Sequence, residues 1–282
     1  MAKKLTESEG AQYLIGPFCA AVIIPTLDTY DAAGTIRMIT GLGLDSYKDH
    51  GNGQFVLLGD TRPLMESLAD YAFAKNQTRI GMIVLDQDYG WENARDFEER
   101  FKEHEGSIVQ TESFLPSESD FRTRLLKLRE ERPDGLLIIA LGRNLIDIVR
   151  QVHELDWNVP LYGIRNMEDP EILRTLGNLS EGIIYPSLTE EDSLKSSFSK
   201  TYVARYHEPP ESVAANAYDG ALLLFRTILA CGDRLDCVSS VLSDHQSIEG
   251  VTGTITMTST GKGFRTPTIR IVHQGQFVRA SA

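Results

Sequence analysis

Arg79-Ile80-Gly81-Met82-Ile83-Val84-Leu85 is apolar at nearly every position, and the polar segment Asp86-Gln87-Asp88-Tyr89-Gly90 follows it directly. Next comes the charged amphipathic run Trp91–Glu105, closed by Gly106. A strand with no polar alternation has no face to offer water, so it belongs in a sheet covered on both sides. A short loop and a long helix after such a strand make a βα unit, and the next strand then lies parallel to the first.

The same grammar extends in both directions. Upstream, Gln12–Ile15, Ile36–Thr40 and Phe55–Leu58 read as strands, and Thr26–Ala33 and Pro63–Lys75 as helices. Downstream, Ser107–Phe114, Gly135–Ala140, Pro160–Gly163 and Gly182–Tyr185 read as strands. Phe121–Arg132, Leu145–Leu155, Ser193–His207 and Val213–Cys231 read as helices. Ile255–Met257 and Thr268–His273 alternate apolar with polar residues and are expected to return to an existing sheet. The units are too many for one compact layer, so the expected class is α/β with two mostly parallel sheets.

Composition narrows the function. The 282 residues are 41% apolar, as in folded globular chains, and carry a net charge of −12. An acidic chain lacks the clustered Lys and Arg that bind phosphate backbones, so no nucleic-acid partner is expected. No apolar run is expected to cross a bilayer, and the opening segment has no apolar core of a secretion signal. The three cysteines have no metal spacing, and neither do the six histidines. Cys231 and Cys237 are expected as two thiols, with a local disulfide as the alternative.

Ligands of parallel sheets bind beyond the carboxyl ends of the strands. That rule selects Gly16–Val22, Gly41–Asp45, Asp86–Gly90, Leu141–Asn144 and Gly163–Asn166. Gly41-Leu42-Gly43-Leu44-Asp45-Ser46 opens like a dinucleotide fingerprint, but Ser46 replaces the third glycine, and Gly51 and Gly53 interrupt the helix that should follow. No cofactor is expected. Ser197-Phe198-Ser199-Lys200 matches Ser-x-x-Lys without its companion motifs and reads as a solvated helix face. Cys19 as a nucleophile needs a basic neighbour that the sequence does not supply, so a packed or disulfide-bonded cysteine is expected. Tyr89 has two readings, stacking on a ligand or tucking onto its own helix. Arg143 and Arg165 also have two: a fork for carboxylate or phosphate, or solvated surface charge.

The order of motifs resembles that of the type I periplasmic binding proteins, the family of the leucine/isoleucine/valine-binding protein. The resemblance rests on Leu14-Ile15-Gly16-Pro17, Asp88-Tyr89-Gly90-Trp91, Phe114-Leu115-Pro116, Asp120-Phe121 and Arg132-Pro133-Asp134-Gly135. It continues through Ala217-Tyr218-Asp219-Gly220-Ala221 and Gly250-Val251-Thr252-Gly253-Thr254-Ile255. It implies two Rossmann-like lobes, residues 1–59 with 187–266 and residues 60–186 with 267–282, joined by a three-crossing hinge that closes on a ligand. It implies a substrate-binding component of an ABC importer, with a membrane permease as partner, a periplasmic or extracellular location, and no catalysis. Ala2-Lys3-Lys4-Leu5 matches the family's second helix, so the resemblance also implies that the family's opening strand, helix and second strand have no counterpart in this sequence and that the first lobe is truncated.

In amino-acid-binding members, a Ser and a Thr hold the ligand's carboxylate and an acidic residue holds its ammonium. The resemblance places Ala20 and Leu44 (or Gly43) at the hydroxyl positions and Arg165 at the acidic one. Backbone N–H groups of Ala21 and Gly43 remain available to an anion. The expected ligand is therefore a small organic anion or another solute that is not an amino acid. Phe18, Cys19, Ala20, Val22 and Leu42 would form the wall around its body, Tyr89 would contact it, and Arg165 and Arg143 would pair its charge. The alternatives are a cytoplasmic ligand sensor of the same fold, a branched-chain amino-acid binder with an altered site, and an enzyme using Cys19.

Overall fold

In a computed structural model, the described residues are 1–41, 53–188, 197–244 and 247–281. The chain divides into two compact units, Met1–Asp60 with Thr189–Thr266 and Thr61–Leu188 with Pro267–Ala282.

The chain begins in the first unit with β1 (Tyr13–Ile15), α1 (Ala20–Ile23), α2 (Leu27–Ala32), β2 (Ile36–Ile39) and β3 (Gln54–Val56). The second unit follows, with α3 (Arg62–Ala74), β4 (Arg79–Leu85), α4 (Asp88–Glu103), β5 (Ser107–Phe114) and α5 (Arg122–Glu130). It continues through β6 (Gly135–Ile139), α6 (Gly142–Glu154), β7 (Leu161–Gly163), α7 (Pro170–Leu176) and β8 (Ile184–Ser187). The chain then returns to the first unit for α8 (Ser197–Tyr206), α9 (Ser212–Cys231), α10 (Leu235–Leu242), β9 (Ser247–Gly250), β10 (Gly253–Met257) and β11 (Gly263–Phe264). It ends in the second unit with the hairpin β12 (Thr268–His273) and β13 (Gln276–Arg279).

The second unit is a seven-stranded sheet in the order β13-β12-β8-β7-β6-β4-β5, parallel from β8 to β5. β12 joins β8 antiparallel. The period of two along each strand divides its side chains between two cores. Ile83 and Leu85 of β4, with Leu136 and Ile138 of β6, face a core shared with Leu125, Leu145, Ile148 and Ile172. Ile80, Met82 and Val84, with Leu137 and Ile139, face Met65, Leu68, Ala94, Phe97 and Phe101. These two cores explain why the opening stretch carries no polar alternation.

In the first unit, β1-β2-β3 form a parallel sheet, and every residue of β2 is buried. Arg37 is among them. Its guanidinium pairs with Asp31, donates to the Leu27 carbonyl at 3.4 Å and lies 5.3 Å from the centre of the Tyr30 ring. Burial still pulls its pKa below the usual guanidinium range, with Asp31 opposing. α9 packs on this sheet through Leu223 and Leu224. A Cβ on Gly220 would lie 3.0 Å from Thr40 Cγ2 and 3.1 Å from Met38 Cγ, so a glycine lets the helix come close.

Four differences from the sequence expectations have physical causes. Ile255–Met257 does not join the parallel sheet. As part of β10 it pairs antiparallel with β9 and β11, because the two-residue turn Val251-Thr252 folds it back on β9. α9 is long and apolar enough for a membrane span, contrary to expectation, and its apolar side is spent on the first unit's core. Cys231 and Cys237 form a disulfide with Cα atoms 5.6 Å apart. Gly232, at φ 65°, ends α9 and lets α10 turn back within bonding range. Finally, α7 has no counterpart among the expected helices, although Asp169 caps it by accepting the Glu171 N–H at 2.8 Å and Pro170 opens it.

Candidate functional site

The carboxyl end of β1 leads into Gly16-Pro17-Phe18-Cys19. The loop is shorter than expected: α1 starts at Ala20, with Cys19 in extended conformation as its N-cap. Cys19 is a free thiol on the surface, so it is neither packed away nor disulfide-bonded. Ala20 is partly buried and Ala21 exposed. The N–H groups of Val22 and Ile23 both bond to the Cys19 carbonyl, which leaves the first-turn donors of Ala20 and Ala21 to whatever lies beyond the helix. Phe18 is partly exposed, and its carbonyl lies so close to Gly41 that a Cβ there would stand 2.6 Å from it. The loop after β1 thus lies against the end of β2. Leu42, Gly43 and Leu44 lie outside the described residues.

In the second unit, the Asp86–Gly90 loop is also shorter than expected, because α4 starts at Asp88. Gly90 makes this start possible: a Cβ there would stand 2.0 Å from the Leu85 carbonyl oxygen. Tyr89 therefore sits in the first helical turn, partly buried. Its hydroxyl donates to Asn166 Oδ1 at 3.3 Å. Burial raises the phenol's pKa above its usual value, while the positive charge of Arg165 pulls it the other way.

Arg165 opens a 3-10 turn, Arg165–Glu168, at the carboxyl end of β7. It is only 9% exposed, yet its guanidinium makes no hydrogen bond or ion pair with any described residue. Buried arginines are ordinarily paired, since desolvating an unpaired charge costs several kcal/mol. Glu168, the one acidic side chain of the same turn, accepts the Ser187 hydroxyl of β8.

Arg143 is placed differently from the expectation. It lies in the first turn of α6, its side chain is 86% exposed, and it pairs with Asp147 of the same helix at 3.3 Å. That is an i,i+4 surface pair, and it gives Arg143 no part in the Arg165 cluster. Asn166 belongs to that cluster, and sequence reasoning missed it. The strand-end rule had selected its loop, but a lone Asn beside an Arg carries no motif. Among the described residues, no group of three or more His, Cys, Asp or Glu side chains is placed to hold a metal ion.

Comparisons with known proteins complete this description. The family model described as periplasmic binding protein matches residues 1–281. The Leu/Ile/Val-binding protein of Escherichia coli (strain K12) is 23% identical over 180 residues, covering 63% of this chain and 49% of that protein. The match therefore spans about half the length of such curated relatives. A leucine-binding protein from Thermotoga maritima superposes with a TM-score of 0.89 at 16% identity, over 99% of this chain and 82% of the other. The solute-binding protein of an R. palustris ABC transporter, in complex with benzoate, superposes with a TM-score of 0.89 at 17% identity, over 99% and 79%. At these identities the solved structures establish the fold, which is α/β with mostly parallel sheets.

Proposed function

Because this chain belongs to the periplasmic binding protein family, we propose that it binds a small organic anion and delivers it to the membrane permease of an ABC importer. The observation that carries the anion reading is Arg165, nine-tenths buried and without an ion-pair partner among the described residues. A guanidinium held in that state gains most from a carboxylate, which it meets with two parallel hydrogen bonds. Tyr89 contributes a ring beside that charge. The benzoate held by the R. palustris protein is a ligand of the proposed kind, a carboxylate with no ammonium.

The names of the curated relatives favour a second reading, branched-chain amino-acid binding. Arg165 argues against it, since an α-ammonium placed beside a desolvated guanidinium is repelled. The Cys231–Cys237 disulfide supports a periplasmic or extracellular location, where such bonds persist, over a cytoplasmic sensor.

Thermal-shift screening tests the proposal. Benzoate and other small carboxylates are expected to raise Tm by several degrees, and leucine to leave it unchanged. Stabilisation by leucine alone would refute the anion reading.

A further inference from the structure

The chain passes between its two units three times, and side chains fix two of those crossings on both sides of the boundary. The first crossing runs from Asp60 to Thr61. Asp60 accepts Lys262 Nζ with both carboxylate oxygens, at 2.5 and 2.7 Å. The pair is largely shielded, with side-chain exposures of 27% and 16%, so solvent screens it less than a surface pair. Across the boundary, Thr61 is fully buried and donates its hydroxyl to Asp96 of α4 at 3.0 Å. The third crossing runs from Thr266 to Pro267. On one side of it Arg265 donates to Asn216 of α9 at 3.2 Å, and on the other Thr268 pairs with Ser187 of β8. The second crossing leaves β8 for residues outside those described.

Inside the first unit, the first and third crossings start as one ribbon. Val56 and Lys262 form a parallel bridge, and the Val56 N–H donates to the Gly261 carbonyl at 2.9 Å. Beyond the bridge the two backbones touch. A Cβ on Gly59 would stand 2.2 Å from the Gly263 carbonyl oxygen, and one on Gly263 would stand 2.0 Å from that of Leu57. From this arrangement we infer that Lys262 and Asp60 are positioning residues of the hinge: they tie the first crossing to the third and, with Thr61 and Asp96, confine bending to the link between Asp60 and Thr61. Each of these contacts lies within one unit, so none has to break when one unit turns against the other. The turn falls on ψ of Asp60 and φ of Thr61, the soft torsions on either side of a planar peptide. The third crossing has little freedom to add, because Pro267 has a fixed φ and disfavours helical backbone at Thr266.

The test is a distance distribution between the units, measured by pulsed electron resonance on the ligand-free protein. In a Cys19→Ser background, Arg226→Cys on α9 and Arg143→Cys on α6 carry one spin label each, at exposed positions of the two units. The bonded Cys231 and Cys237 take no label. Lys262→Met is expected to widen the distribution by about half or more, because the first crossing then bends on either side of Asp60. Asp60→Asn is expected to act likewise, and it carries the test if Lys262→Met does not fold. Thr61→Val is expected to widen the distribution from the other side of the link. Arg122→Met, which breaks a 2.5 Å pair with Glu154 inside the second unit, is expected to leave the width unchanged. Equal widths in the wild type, Lys262→Met, Asp60→Asn and Thr61→Val overturn the inference. So does a widening by Arg122→Met as large as theirs, which would make the width a measure of general loosening. No ligand enters the measurement. Failure to bind benzoate therefore leaves this inference standing, and equal widths leave the anion reading standing.

Discussion

The carboxylate of Asp219, fully buried in α9, accepts both the backbone N–H of Thr252 at 3.0 Å and its hydroxyl at 2.5 Å. It also accepts the Val251 N–H at 2.7 Å, so one side chain satisfies the whole turn between β9 and β10. Gly250 belongs to the same device, because a Cβ there would stand 2.4 Å from Asp219 Oδ2. Asp219 and the Gly250-Val251-Thr252-Gly253 segment are two of the motifs that carried the family resemblance, and their role here is structural. Asp219→Ala strands two buried donors of Thr252 and a half-buried one of Val251, so a loss of about 3 kcal/mol is expected, read as a lower urea midpoint by far-UV circular dichroism. Gly250→Ala should destabilise through the same contact. A loss below about 0.5 kcal/mol for Asp219→Ala would show that the turn is held by other means.

On the proposed anion reading, Arg165 is expected to link stability and binding with opposite signs. Its buried charge has no ion-pair partner among the described residues, so removing it relieves a desolvation cost. Arg165→Met is therefore expected to leave the ligand-free Tm unchanged or higher, while benzoate affinity falls about 10- to 100-fold, as for loss of a charge-assisted hydrogen bond of about 1.5–3 kcal/mol. Differential scanning fluorimetry and titration calorimetry on the same preparation give both quantities. A fall in Tm as large as that of Asp219→Ala would mean that Arg165 serves the fold instead.

How far the sequence was legible depended on the kind of signal. β4 and β6 were readable almost to the residue, because strands covered on both faces are uninterrupted apolar runs. Helix starts were not, since a tight βα junction draws loop residues into the first turn. Tyr89 and Gly90 entered α4 and Arg143 entered α6 for that reason. The exposure of Arg143 followed from its helix face, which a strand-end argument does not consider. Asn166 was invisible because its significance is its bond to Tyr89, 77 residues away in sequence. The Cys231–Cys237 bond depended on the positive φ of Gly232, which a cysteine count does not reveal.

A cluster on the second unit gives stability a pH dependence. Asp70 of α3 accepts Arg100 Nε at 2.6 Å and contacts His104 Nε2 at 2.6 Å. Burial raises its pKa, but the hydrogen bonds from Arg100 and His104 outweigh that and hold the carboxyl below its usual value of 3.8. A depressed carboxylate pKa adds stability above the unfolded-state value, and the contribution is lost as pH falls through the folded one. Asp70→Asn is therefore expected to cost less than about 1 kcal/mol at pH 7, after allowance for solvent screening of a half-exposed pair. The difference from wild type should shrink in urea titrations as pH falls below the usual carboxyl value and vanish once pH lies below the lowered folded value. A difference that persists in acid would assign the effect to packing at Phe73 and His104, whose rings stack at 5.1 Å.

The disulfide makes the last prediction, because it gives the three cysteines different fates. Cys231 and Cys237 close a loop with a sequence separation of 6, while Cys19 is free and exposed. Chain-entropy bookkeeping for so short a loop gives about 2 kcal/mol of stabilisation. The Cys231→Ser, Cys237→Ser double variant is therefore expected to unfold at lower urea, and reductant should lower the wild-type midpoint towards it without moving the variant's. Alkylation followed by mass spectrometry reads the same assignment. One modified thiol is expected in the native protein and still one after unfolding without reductant, with all three modified after unfolding with it. Three modified thiols without reductant would mean that the pair is not bonded, and the argument for an oxidising compartment would lose its support.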